Sequence, residues 1–320
     1  MKLFISNYLN EDDMFEQNLH NKLLWRIPHK ELKNIGWTVI GKKDIIGIEN
    51  LIKKIEKINP SIIFFWFQSE YSIHIRRYIM YIVKWAKKND VKLVSYIDDL
   101  HLNRNKERNL ILNKILNTNT TLLFGSYMYA YDQYHSIQNN INWLPHCFYD
   151  SYQINFNNNP IKKILLTGVI DKKIYPMRQK MFDLIGKYPI IHQQYCGYDK
   201  PKHNICGKKY AELLNNYLIS FTCCSSLKTP YLISKFFEIP GSGSLLLAYD
   251  NHVKFQMKEL GFINMVNYMC VTEDNIEEKI QFVLDEKNLK LINKIRKCGY
   301  DLVNHDHMLS NRATYIDRTI

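Results

Sequence analysis

No stretch of this 320-residue chain stays apolar for long. The longest runs, such as Ile62 to Phe67, fall far short of the roughly 20 residues that a bilayer-crossing helix needs. The N-terminus, Met1 to Ser6, leads into Asn7, Asn10 and an acidic stretch and lacks the order of a signal peptide. It reads as a first strand. Cysteine is sparse and odd in number, seven in all, which fits reduced thiols in a cytoplasmic setting. Lysine and arginine exceed the acids by 43 to 31, a net charge of +12, yet no block of five basic residues occurs. Charge this diffuse argues against a specific nucleic-acid partner, although a basic nucleic-acid-binding α/β protein is the remoter alternative. A basic face also suits an anionic donor or acceptor, or peripheral contact with a membrane. No internal repeat of 20–50 residues is present.

Metal signatures are lacking too. His192, Cys196, His203 and Cys206 have spacings that match no usual zinc finger. Asp98-Asp99 lacks the intervening residue of the paired aspartates that hold metal-bound sugar nucleotides. Neither a metal nor another cofactor is expected.

What is present is an alternation of apolar strands with amphipathic helices, and 46% apolar residues supply material for two cores. In the first half, strands are expected at Met1–Ser6, Trp37–Ile40, Ser61–Phe67, Val91–Ile97 and Thr121–Gly125. Helices are expected at Phe15–Leu32, Ile46–Ile58, Tyr78–Lys88, Glu107–Leu116 and Tyr127–Tyr134. The asparagine-rich stretch Asn155–Asn159, followed by Pro160, is the best linker. Beyond it come strands at Ile161–Thr167 and Ile190–Cys196, and helices at Pro176–Ile185, Tyr210–Tyr217, Val253–Leu260, Ile276–Leu284 and Leu289–Tyr300. The pattern predicts an α/β protein with two domains, 1–155 and 160–300.

The most informative stretch is Leu218 to Ala248. Leu218–Cys224 and Ser244–Ala248 have the composition of buried parallel strands. Between them, Thr229-Pro230 is a good helix start, which predicts a helix from Tyr231 to Ile239 stopped by Pro240-Gly241-Ser242-Gly243. Amides near Tyr231 and Leu232 would then face the ligand crevice of an open α/β sheet. Glu238 would lie two turns into this helix. It reads either as a solvent-facing glutamate or as an acceptor for two ribose hydroxyls.

Ser234-Lys235-Phe236-Phe237-Glu238-Ile239-Pro240-Gly241-Ser242-Gly243-Ser244-Leu245-Leu246-Leu247 resembles the donor-site segment of group 1 glycosyltransferases, in particular their spore-maturation (CgeB-like) branch. The strand Val94 to Asp99, the segment Trp143-Leu144-Pro145, Gly168 with Tyr175-Pro176-Met177-Arg178, and the tail Gly299 to Arg312 extend the resemblance along most of the chain. It implies a GT-B fold: two Rossmann-like domains facing across a cleft, with a last helix, within 301–320, returning to the first domain. It also implies glycan biosynthesis by transfer of a sugar from a nucleotide-diphosphate donor to a glycan, protein or lipid-linked acceptor.

In that family the matching glutamate holds the nucleotide ribose, which would be Glu238 here. Gly168, Lys172, Lys173, Arg178, Tyr231, Ser234 and Lys235 complete the expected donor site, with the cations as candidates for the diphosphate. Asp98, Asp99 and His101 end a predicted strand, where a carboxylate could accept an acceptor hydroxyl's proton if the reaction inverts. Asp99 reads equally as a turn cap. Two departures stand out. Where many members carry a further glutamate this chain has Pro230, and where many carry an arginine directly after the glycine it has Val169. A fold that keeps the nucleotide or sugar site but has lost catalysis is therefore the nearer alternative.

Overall fold

The structure, a computed structural model, describes residues 1–5, 28–41, 47–67, 73–97, 120–128, 141–194, 205, 207–225 and 231–320. These form two compact units, one holding residues up to Pro145 together with Arg312–Ile320, the other holding His146–Asn311.

In the first unit the order is β1 (Lys2–Ile5), α1 (His29–Asn34), β2 (Thr38–Ile40), α2 (Ile48–Ile58), β3 (Ile62–Phe67), α3 (Ile73–Lys88), β4 (Lys92–Ile97), β5 (Thr120–Gly125) and β6 (Ile141–Trp143). All six strands pair in parallel, in the order β2-β1-β3-β4-β5-β6. Leu3 to Ile5 of β1 and Ile63 to Phe65 of β3 are buried, as strands covered on both faces must be. Phe4, Phe64 and Phe124 stand ring against ring across the sheet, 5.3 and 6.0 Å between successive centroids.

The second unit runs β7 (Ile161–Thr167), α4 (Pro176–Asp183), β8 (Ile190–Gln193), α5 (Gly207–Asn215), β9 (Tyr217–Cys223), α6 (Lys235–Gly241), β10 (Leu245–Tyr249), α7 (Lys254–Glu259), β11 (Met269–Cys270), α8 (Ile276–Leu284) and α9 (Leu289–Asp306). Its five strands are also parallel, ordered β11-β10-β9-β7-β8. Ile219 and Phe221 of β9 pack with Ile164, Leu166, Leu245 and Leu247 in one apolar cluster. Ser220, between them in the chain, meets Ser244 at 2.9 Å, so a polar pair is satisfied where the sheet is fully buried.

The last helix, α10 (Leu309–Thr319), enters the first unit at Arg312. There Asp317 accepts bonds from Lys2 Nζ and Trp37 Nε1, each at 2.7 Å, and Tyr315 packs edge-on against Phe124.

The two parallel α/β sheets agree with the expected fold class, and several element ends move. The helix expected to end at Tyr300 continues to Asp306, and β6 and β11 are additional strands. Tyr127 and Met128 lie outside any helix, and the rest of the helix expected there, like that at Glu107–Leu116, lies outside the described residues. So does most of the helix expected at Phe15–Leu32, whose described end is α1.

Candidate functional site

The site grows from the carboxyl end of β7. Ile164 to Thr167 are buried, and Gly168 turns the chain with φ +98°, a conformation that glycine alone adopts freely. Asp171 shapes the loop that follows, its carboxylate accepting from the amides of Lys173 (2.8 Å) and Ile174 (3.1 Å). Pro176 opens α4 at a position where a missing N–H costs nothing.

That start places Arg178 in the first turn, only 3% exposed. Its guanidinium stacks 3.9 Å from the ring centroid of Tyr175 and donates from Nη1 to the carbonyl of Val169 at 2.8 Å. Its Nε is buried with no hydrogen-bond partner among the described residues. From the other side, Lys235 at the start of α6 donates its ammonium to the carbonyl of Thr167 at 3.0 Å. Both cations therefore close on one glycine. A methyl group at Gly168 would collide with Lys235 Nζ and lie 3.1 Å from Arg178 Nη1.

Removal from water, then the charge of Arg178, drives the Lys235 ammonium down from lysine's usual 10.5 to about 7, while Glu238 opposes the shift. Glu238 is itself 7% exposed, and its Oε2 accepts from Ser234 Oγ at 3.2 Å. Behind the turn, Tyr210 of α5 meets the Thr167 hydroxyl at 2.8 Å. Burial first, and the Glu238 carboxylate second, raise the pKa of Tyr210.

The α6 helix corrects several expectations. It begins at Lys235, not at Tyr231: the amides of Phe236 and Glu238 donate to the carbonyls of Ile233 and Ser234, while the amide of Leu232, ahead of the helix, donates at 3.3 Å to the side chain of Gln256. The amides at Tyr231 and Leu232 thus do not form a helix start, and Glu238 stands in the first turn instead of two turns in. A carboxylate there suits the helix dipole. Nor is Glu238 solvent-facing. Pro240 does not stop the helix, which runs through it to Gly241. The stop is a pair of bonds, Gly243 N–H to Pro240 O (2.8 Å) and Ser244 N–H to Ile239 O (3.2 Å), around Gly243 at φ +85°. Buried Arg296 holds this turn by donating from Nε to the carbonyl of Gly243 at 3.0 Å.

Of the expected donor residues, Gly168, Arg178, Ser234, Lys235 and Glu238 come together. Lys172 and Lys173 lie exposed on the preceding turn, and Tyr231 packs 5.7 Å from the ring of His146. Asp98, Asp99, His101, Thr229 and Pro230 lie outside the described residues, as do Cys196, His203 and Cys206. Tyr210 was not anticipated, since nothing local to it points toward Thr167. Among the described residues no group of three metal-ligating side chains occurs, and no helix is long and apolar enough to cross a membrane.

No protein-family model matches the chain. No curated protein matches it either. Among solved structures it is similar to the spinosyn forosaminyltransferase SpnP, at 9% identity and a TM-score of 0.45, with 100% of this chain and 99% of that one covered. It is also similar to Phytolacca americana UGT2, solved with UDP-2fluoro-glucose and pterostilbene (8%, TM-score 0.43, 99% of each chain). A third is the calicheamicin glycosyltransferase CalG4 (8%, TM-score 0.41, 99% and 97%). At TM-scores below 0.5 these likenesses decide nothing about the site, whose chemistry rests on its own residues.

Proposed function

We propose that this chain is a GT-B glycosyltransferase that moves a sugar from a nucleotide-diphosphate donor to an acceptor hydroxyl without a metal. The observation that carries the reading is the convergence of Arg178 and Lys235 on the Gly168 turn at the end of a parallel strand. In the transfer, the bond from the anomeric carbon to the diphosphate oxygen breaks and a bond to the acceptor oxygen forms. Negative charge grows on the departing diphosphate. Cations held in place before the reaction meet that charge without reorganising, usually the largest catalytic contribution.

Arg178 supplies a planar fork for phosphate oxygens, and Lys235 a second, compact charge. Gly168 leaves the space that a side chain would fill. Glu238, oriented by Ser234, accepts the ribose hydroxyls, and the backbone about Tyr231 flanks the nucleotide. On the acceptor side, Asp98 or Asp99, with His101 beside them, takes the proton of the attacking hydroxyl if the course is inverting. The acceptor is a glycan, a protein or a lipid-linked chain, and the chain's positive charge favours an anionic one.

A thermal-shift screen against UDP, GDP, ADP, CMP and their sugars tests the reading. A ligand at one hundred times its Kd stabilises the fold by about 2.7 kcal/mol. Turnover of the stabilising sugar nucleotide, unchanged by EDTA, is the expected second result. Binding without turnover favours the nucleotide- or sugar-binding protein that has lost catalysis. Neither binding nor turnover of any donor overturns the reading.

A further inference from the structure

The site holds more positive charge than its own groups balance. Arg178 and Lys235 approach the same glycine, and among the described residues Glu238 is the one carboxylate acting on Lys235. Two cations this close, withdrawn from water, repel each other more strongly than at a surface. One of them can relieve the repulsion by losing its proton. A guanidinium does not do so in proteins, whereas a buried lysine does readily.

We propose that Lys235 makes the site read the charge of its ligand: it takes up a proton as a diphosphate binds between it and Arg178. This rests on the donor-site reading above. Before binding, Lys235 can donate to the Thr167 carbonyl as a neutral amine or as an ammonium. A diphosphate brings two negative charges against the same turn and makes the ammonium the favoured form. A neutral or singly charged ligand offers too little to restore it, so the preference for diphosphates is strongest while Lys235 is already an ammonium and declines as pH rises past the pKa of the free protein's Lys235.

The groups facing Lys235 act in both directions. Arg178 from α4 lowers its proton affinity, and Glu238 from its own helix and Cys223 from β9 raise it. Tyr210 from α5 interacts with Glu238 and Arg178, and its own raised pKa keeps it protonated throughout. Burial outweighs the acidic neighbours, and the free amine loses its proton near neutrality.

The test is titration calorimetry with inorganic pyrophosphate, in pairs of buffers of different ionisation enthalpy, from pH 6 to 8.5. Pyrophosphate titrates in this range itself, so its contribution is read from Lys235→Arg, which keeps a fixed charge, and from Lys235→Gln, which has none. Wild type should take up more protons per pyrophosphate than either variant. The excess should be close to zero at pH 6 and approach one at pH 8.5. Its affinity should fall relative to Lys235→Arg by up to about tenfold per pH unit above the pKa of the free amine. Should Lys235→Arg crowd the site, Lys235→Gln alone gives the baseline. Equal uptake by wild type and variants, with binding intact, overturns the inference and leaves the diphosphate site standing. No binding of pyrophosphate by wild type overturns both.

Discussion

Arg178 donates to the carbonyl of Val169 at 2.8 Å, so a guanidinium stands beside the very residue that replaces the arginine expected after Gly168. The cation comes from the first turn of α4 instead of from the loop. Stacking on Tyr175 fixes its plane, and its buried Nε, without a partner among the described residues, leaves a donor that an incoming anion can satisfy. The substitution at Val169 therefore does not empty the turn of positive charge.

Arg178→Met should weaken pyrophosphate binding about ten- to a hundredfold, the range of a lost charge-assisted hydrogen bond of about 1.5–3 kcal/mol. Arg178→Lys should recover little of this, because an ammonium can neither stack flat on Tyr175 nor present a fork to phosphate oxygens. Calorimetry on the two variants checks the order. Full recovery by lysine would mean that only charge matters at this position.

Gly168→Ala acts twice. It forces a left-handed backbone on a residue with a Cβ, costing roughly 1–2 kcal/mol, and it drives that Cβ into Lys235 and Arg178. Pyrophosphate affinity should fall by more than the melting temperature alone would suggest. A variant that is destabilised yet binds pyrophosphate as wild type does would show that the cations tolerate displacement.

Much of this fold is legible in the sequence because parallel strands buried on both faces read as near-continuous apolar runs, unbroken in β3 and β10 and interrupted only by Ser220 and Thr222 in β9. The edge strands β6 and β11, of three and two residues, are too short to leave such a pattern. Thr229-Pro230 had the right chemistry for a helix start, but α6 begins only at Lys235, with its first amides donating to the carbonyls of Ile233 and Ser234. Among the cations near Gly168, sequence position alone does not separate Arg178 from Lys172 and Lys173. The difference is that Arg178 lies on the buried side of α4, over Tyr175, whereas the two lysines sit on the exposed turn.

In the first unit, Asp317 should contribute to acid stability. Burial raises its pKa, but the bonds from Lys2 and Trp37 outweigh this and hold the carboxyl below its ordinary value. A depressed carboxylate stabilises the fold at pH above its unfolded-state pKa, and the contribution is lost as pH falls through the folded-state value. Asp317→Asn should therefore melt earlier than wild type at pH 7, with the gap closing below about pH 4, the ordinary aspartate range. A gap that persists at pH 2.5 would show that shape, not charge, matters here.

Glu238→Gln separates the two halves of the donor proposal. The carboxylate is buried, accepts from Ser234 Oγ and acts on Lys235, so losing its charge leaves the site more positive. Pyrophosphate, which has no ribose, should then bind as tightly as to wild type or more so. A nucleoside diphosphate should lose the charge-assisted bonds from its 2′- and 3′-hydroxyls and bind about ten- to a hundredfold more weakly. Burial in the first turn of α6 also means that the free protein should melt somewhat earlier, since a favourable dipole interaction of about 0.3–1 kcal/mol is removed. Opposite responses to the two ligands would assign Glu238 to the ribose. Equal weakening of both would place its effect on the cations or on the packing of α6, and the ribose role would have to be given up.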